Sequence, residues 1–151
     1  MAADGALFDL CFTMSIQSSA MGRTTSQGPP PNPDDTLALA VSQFNSWRFW
    51  DCHETLEEIW RREGGQAAHF YKGLIKAAAG LHHLLRKNDR GASIVLQGAI
   101  DALTPFRPHH LGLDVEGLVC GLEKCLEMAT GRQPLDLSLI PHIRRADAGP
   151  A

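Results

Sequence analysis

The segment from Gln66 to Lys87 constrains this chain more than any other. Phe70, Leu74, Ala77, Ala78, Leu81 and Leu85 recur at helical spacing and form one apolar stripe. The opposite side is not the charged face of a surface helix. Lys72, Ile75, Lys76, Ala79 and His83 lie there with Gly80 alongside, so small and apolar side chains occur all round. A helix of that composition must be packed between neighbours, and the rest of the chain must cover it on more than one side.

The covering elements also read as helices. Asp34 or Asp35 caps a first helix, which sets Leu37, Ala40, Val41 and Phe44 on one face. Asn45-Ser46 breaks it. A second helix runs from about Phe49 to Glu63 and stops at Gly64-Gly65. After the turn Asn88-Asp89-Arg90-Gly91, a fourth helix buries Ala92, Val95, Leu96, Ala99 and Leu103, and Pro105 and Pro108 end it. His109-His110-Leu111-Gly112-Leu113 reads as a loop. Asp114 then caps a fifth helix with Leu118, Leu122, Cys125, Leu126 and Ala129 inward, closed by Gly131.

No segment alternates convincingly as a strand does, so the expected class is all-α. The expected architecture is one compact domain of about five helices. The long third helix is central and forms an antiparallel hairpin with the second.

Residues 1–33 are expected to be a disordered extension, because Thr24 to Pro33 is rich in proline and polar residues and has little to bury. Met14 and Met21 are further candidate start positions. Residues 34–131 make the helical domain. Residues 132–151 make a tail in which Leu135, Leu137, Leu139 and Ile140 strap across the domain before it frays.

Composition excludes several function classes. A net charge of −3 and a pI near 6.1 leave no basic footprint for nucleic acid and no polybasic membrane patch. No apolar run approaches the ~20 residues that span a bilayer. Asp9 interrupts the N-terminal apolar run, which also lacks a basic start, so it does not read as a signal peptide. Cys11, Cys52, Cys120 and Cys125 contain no C-x-x-C pair, and reduced thiols in a cytoplasmic protein are expected. A homo-oligomer is compatible with all of this.

The chemistry gathers on the second helix, in Asp51-Cys52-His53-Glu54-Thr55-Leu56-Glu57-Glu58-Ile59-Trp60-Arg61-Arg62. With His53 as zero, Phe49, Leu56 and Trp60 fall at about −40°, −60° and −20°, and Glu57 at about +40°. Glu54 and Glu58 fall near +100° and +140°, toward solvent, where Glu58 can pair with Arg62. His53 and Glu57 are therefore expected inside, where each needs a partner. Lys72, Lys76 and His83 line one side of the third helix and can supply one. His82 reads as a flank residue, and Cys52 points about 100° away from His53, so the two do not form a nucleophile pair.

Three readings remain open. The first is a buried network, His53 to Glu57 to Lys76, with Trp60 in the core, that fixes helix packing. The second is a divalent metal such as zinc, iron or manganese on His53, Glu57 and His83, which form a suitable borderline ligand set. Spacing does not establish it, since Glu57 stands where H-E-x-x-H would require histidine. The third is a small polar or anionic ligand held by Lys72, Lys76 and His83, with Glu54 or Glu57 as general base.

Phe44-Asn45, Phe49-Trp50-Asp51-Cys52-His53-Glu54, Leu56-Glu57 and Trp60 resemble the opening signature of the domain-of-unknown-function family numbered 309. Phe70 to Ile75, Ala78-Ala79, His83, Asn88 and Gly91-Ala92 resemble its second signature, and Gly112-Leu113-Asp114-Val115 a later segment. The resemblance covers about residues 37–126. It implies a compact helical protein with no established activity, and carries over His53, Glu54, Glu57, His83 and Asn88. Two departures stand out: the family usually has Gln at Lys76 and Gly at Lys87.

The sequence thus points to a binding or assembly module with a polar pocket between the second and third helices. Lys72, Lys76, His83, Asn88 and Trp60 would line that pocket. The alternative is a metal- or ligand-dependent, hydrolase-like enzyme using His53, Glu54, Glu57 and His83.

Overall fold

The computed structural model describes residues 32–146. The extension expected over 1–33 therefore lies, up to residue 31, outside the described residues. Within them the chain forms five α-helices: α1 (Pro33–Asn45), α2 (Phe49–Arg62), α3 (Gly65–Leu85), α4 (Asp89–Leu103) and α5 (Val115–Ala129). The class is all-α, and α3 is the longest helix.

Helix starts follow local chemistry, with one shift from expectation. The α1 cap is Asn32, whose side-chain oxygen accepts from the Asp34 amide at 3.0 Å, and Pro33 occupies the first turn. Asp34 and Asp35 lie inside that turn and complement its positive end, and neither is the cap. Asp114 caps α5 as expected, accepting from the Gly117 amide at 3.0 Å. Each such cap contributes about 1 kcal/mol. Gly131 closes α5 at φ +78°, with the Gly131 amide on the Met128 carbonyl and the Arg132 amide on the Glu127 carbonyl.

The third helix is enclosed as its composition demands. It buries Phe70, Tyr71, Gly73, Leu74, Ile75, Ala77 to Leu81 and Leu84. Leu84, not Leu85, is the last buried member. The helix stops at Leu85 and not at Lys87, because Lys87 takes φ +61° and turns the chain toward α4. On one side α3 packs against α2. On the other, Gly73 and Gly80 let α4 approach so closely that an added Cβ would lie 2.7 Å from Leu103 Cδ2 or from Leu96 Cδ2.

Helix α2 is buried on two faces. His53, Leu56 and Glu57 form the expected one; Cys52, Thr55 and Ile59 form a second. On that second side the Thr55 hydroxyl donates to Gln43 Oε1 of α1 at 2.7 Å, and Phe44 meets Phe49 edge to face at 5.2 Å. Trp60, expected in the core, is half-buried at its rim.

After α4, a 3-10 turn at Thr104–Phe106 leads into an antiparallel hairpin, His109–His110 with Leu113–Asp114. The loop reading of this segment is thereby corrected. His110 turns inward, 4.7 Å from both the Phe70 and Phe106 ring centroids, whereas His109 is exposed. The tail docks through Ile140 and Ile143, while Leu135 and Leu137 are exposed. Asn45 holds Ile143 by two backbone hydrogen bonds, and Asp114 and Gly112 pair with Arg144 and Ala146.

Candidate functional site

The antiparallel pairing of α2 and α3 brings the start of one helix to the end of the other. Trp50, in the first turn of α2, stacks on His53 three residues later, with centroids 4.9 Å apart and planes 29° apart. The other neighbour of Trp50 is His82, near the end of α3, at 5.2 Å. His82 and His83 rings are 6.0 Å apart. One indole thus bridges an imidazole on α2 and an imidazole on α3.

Beneath the indole lie His53 and Glu57, each with 0% of its side chain exposed. His53 Nε2 is 3.7 Å from Glu57 Oε1, too far for a direct hydrogen bond. Arg61 Nη2 lies 3.8 Å from Glu57 Oε2, reaching in from the half-exposed side of the same helix. Burial, and then the His82 and His83 rings, disfavour an imidazolium at His53. This pushes His53 down to about 4, so the ring is neutral at pH 7. With the ring neutral, the His53–Glu57 contact is not an ion pair.

His83 is oriented from the next helix. Asn88 Oδ1 accepts from the Gly91 amide at 3.1 Å, capping α4. That fixes the other end of the amide: Asn88 Nδ2 faces His83 Nδ1 at 3.3 Å and donates to it. A neutral His83 therefore carries its proton on Nε2. Burial and Arg86 lower its pKa; for His82 the causes are burial, His83 and Arg86.

The expected residues are thus only partly assembled. His53, Glu57 and His83 share the α2–α3 interface. Lys72, Lys76, Glu54 and Trp60 are half-buried, and Asn88 is exposed. The stem of Lys76 runs along α4, where its Cδ and Nζ would both lie 3.5 Å from a Cβ added to Gly98. Arg62 reaches the Glu58 carbonyl with Nε at 3.3 Å.

The metal expected on His53, Glu57 and His83 is not supported. Among the described residues, no three His, Cys, Asp or Glu side chains are arranged to hold an ion. One ring nitrogen of His83, Nδ1, faces Asn88. Three surface cavities, between α1 and the hairpin tip, between α4 and α5, and between α5 and the tail, are lined by other residues.

Sequence reasoning missed Trp50 and undervalued His82. A signal for Trp50 was present, since it stands three residues before His53 and must share its side of the helix. Cys52 is buried and its thiol pushed up by that burial, so it is inert. No helix among the described residues is long and apolar enough to cross a membrane.

The model of a family described as Domain of unknown function (DUF309) matches residues 37–95. The chain resembles that family from α1 through the first half of α4, which includes His53, Glu54, Glu57, His83 and Asn88. The Gly112 to Val115 segment lies beyond the match. No curated protein matches the chain.

Proposed function

We propose that this chain is a small helical binding or assembly module with a polar site between α2 and α3. Its floor is His53 and Glu57, its wall Trp50, His82 and His83, and its rim Asn88 beside His83. The observation that carries this reading is the complete burial of His53 and Glu57 under a half-buried indole. A visiting group meets Trp50, His82 and His83 first. The buried pair acts through them, by fixing how the two helices stand against each other. A neutral imidazole held in place suits that task, and a general base that must exchange protons with water does not. The cytoplasm fits the free thiols of Cys52, Cys120 and Cys125.

The test is denaturant unfolding of His53→Ala, together with elemental analysis of the untagged full chain. The expected result is a stability loss of about 2–4 kcal/mol, for a buried polar side chain removed from a packed interface, and no stoichiometric metal. Unchanged or raised stability, or one metal per chain, would overturn the reading. Either result would return the hydrolase-like use of His53, Glu54, Glu57 and His83.

A further inference from the structure

Where the tail crosses α5, the two enclose a cavity of about 330 Å³, at the small end of the range that takes an organic ligand. Gly117, Cys120, Gly121 and Lys124 of α5 line it at helical spacing, and residues 138–142 with Arg144 close it from the tail. Both walls are tied down. The Asp114 amide donates to the Arg144 carbonyl at 2.8 Å, and the neighbouring Ile143 is buried and held by Asn45. At Gly121 the tail presses on the helix, since an added Cβ would collide with Pro141 Cβ. A space between elements fixed in this way stands ready before a ligand arrives, so little ordering cost opposes binding.

The lining also has a direction. Asp114 pairs with Arg144 and Gly121 packs on Pro141, so the tail runs back along α5. One end of the cavity therefore holds Asp114, Arg144 and His142, and the other holds Lys124 with Leu139. At the first end the charges of Asp114 and Arg144 offset each other, and Asp114 Oδ1 is further occupied by the Gly117 amide. Lys124 stands ten residues away, or ~15 Å along the helix. Among the described residues no ion pair engages it. Between the two ends the tail offers apolar surface: Ile140 is buried, and Leu139 and Pro141 are half-buried. The Ser138 hydroxyl donates to Asp136 Oδ1 at 2.6 Å and has no proton left for a ligand. An anionic head on a short apolar body matches this order of groups; a cation would be repelled at Lys124, and an uncharged molecule would leave it unused.

We propose that the cavity between α5 and the tail binds a small organic acid, with its carboxylate on Lys124 and its alkyl body along Leu139, Ile140 and Pro141. The site is separate from the one between α2 and α3, and the inference does not depend on it.

The probe is hexanoate, with hexanol as the body without the charge and inorganic phosphate as the charge without the body. Titrated into the full chain, hexanoate should give saturable amide shifts over residues 117–124 and 138–144, with a Kd on the order of millimolar. Hexanol and phosphate should bind several-fold more weakly. Lys124→Gln should weaken hexanoate several-fold and leave hexanol as it was, Lys124→Arg should restore binding, and Arg90→Gln on α4 should change nothing. Hexanoate should also slow the alkylation of the exposed Cys120 by iodoacetamide, read on its own peptide. No saturable shift around the cavity, hexanol binding as well as hexanoate, or indifference to Lys124→Gln would overturn the proposal. So would unchanged alkylation of Cys120, or phosphate binding more tightly than hexanoate, which would mean that charge alone is read.

Discussion

The side-chain amide of Asn45 holds the backbone of Ile143 at both of its polar groups. Oδ1 accepts from the Ile143 amide at 2.8 Å, and Nδ2 donates to the Ile143 carbonyl at 3.0 Å. A residue at the end of the first helix thereby fixes a tail 98 positions away. Ile143 is buried beside it.

Replacing Asn45 should release that tail. Asn45→Ala leaves two half-buried backbone groups to find water, at a cost of about 1–3 kcal/mol. Urea unfolding measures the loss, and amide exchange at Ile143 and Ala146 should accelerate first. Asn45→Asp should not rescue it, because a carboxylate keeps the acceptor and faces the Ile143 carbonyl without a donor.

Lys87 is exposed and sits at φ +61°. The family resemblance implies glycine at this position, and the backbone supplies the reason. A side chain in the left-handed region costs about 1–2 kcal/mol, part of which glycine returns through its freer unfolded state. Lys87→Gly should therefore raise stability by about 0.5–1 kcal/mol, read as a higher denaturation midpoint with an unchanged slope.

At Gly80, α4 lies close against the backbone of α3. A Cβ there would lie 2.7 Å from Leu96 Cδ2 and 3.2 Å from the Leu96 backbone nitrogen. The side chain can yield; the backbone cannot without moving α4. Gly80→Ala should cost about 1–3 kcal/mol, despite alanine being the better helix former. Leu96→Ala should remove part of that cost, giving a measurable coupling in a double-mutant cycle.

Acid should weaken the α2–α3 interface. His53 titrates near 6.5 when unfolded and at about 4 when folded, so between those values the unfolded chain binds the extra proton. Stability is then full above about pH 6.5 and declines as pH falls to about 4, by about 3 kcal/mol at most. His82 and His83 are lowered too and act in the same direction. Glu57 Oε1 lies 3.7 Å from His53 Nε2, and burial, then His82 and His83, set the direction of the His53 shift. Urea unfolding from pH 7.5 to 4.5 should show the decline, and it should be shallower in His53→Leu.

Much of the fold was legible because it is local. Asp114 and Gly131 mark the ends of α5 by chemistry that acts within a few residues, and both do so in the structure. The crowding around α3 was legible because Ala79 and Gly80 make sense only under a neighbour. Asn32 was misjudged because two aspartates follow it, and acidic residues suit both the cap and the first turn. The hairpin was invisible because two-residue strands have no periodicity. For the site, the spacing along α2 correctly buried His53 and Glu57. It could not reveal Cys52, Thr55 and Ile59 as a second buried face, because only the position of α1 decides that. Nor could it show His82 on Trp50, which depends on how far α3 is rotated about its own axis.

The succession of the helices carries a kinetic consequence. Each packs chiefly on the one before and the one after it in sequence, from α1 through α5. Contacts so near along the chain close quickly, and such topologies fold in microseconds to milliseconds. The bonds between Asn45 and Ile143 are of another kind, since they close a loop of 98 residues. Closing so long a loop is expected to follow the rate-limiting step. Loss of Asn45 should then leave the refolding rate almost untouched and appear nearly in full as faster unfolding.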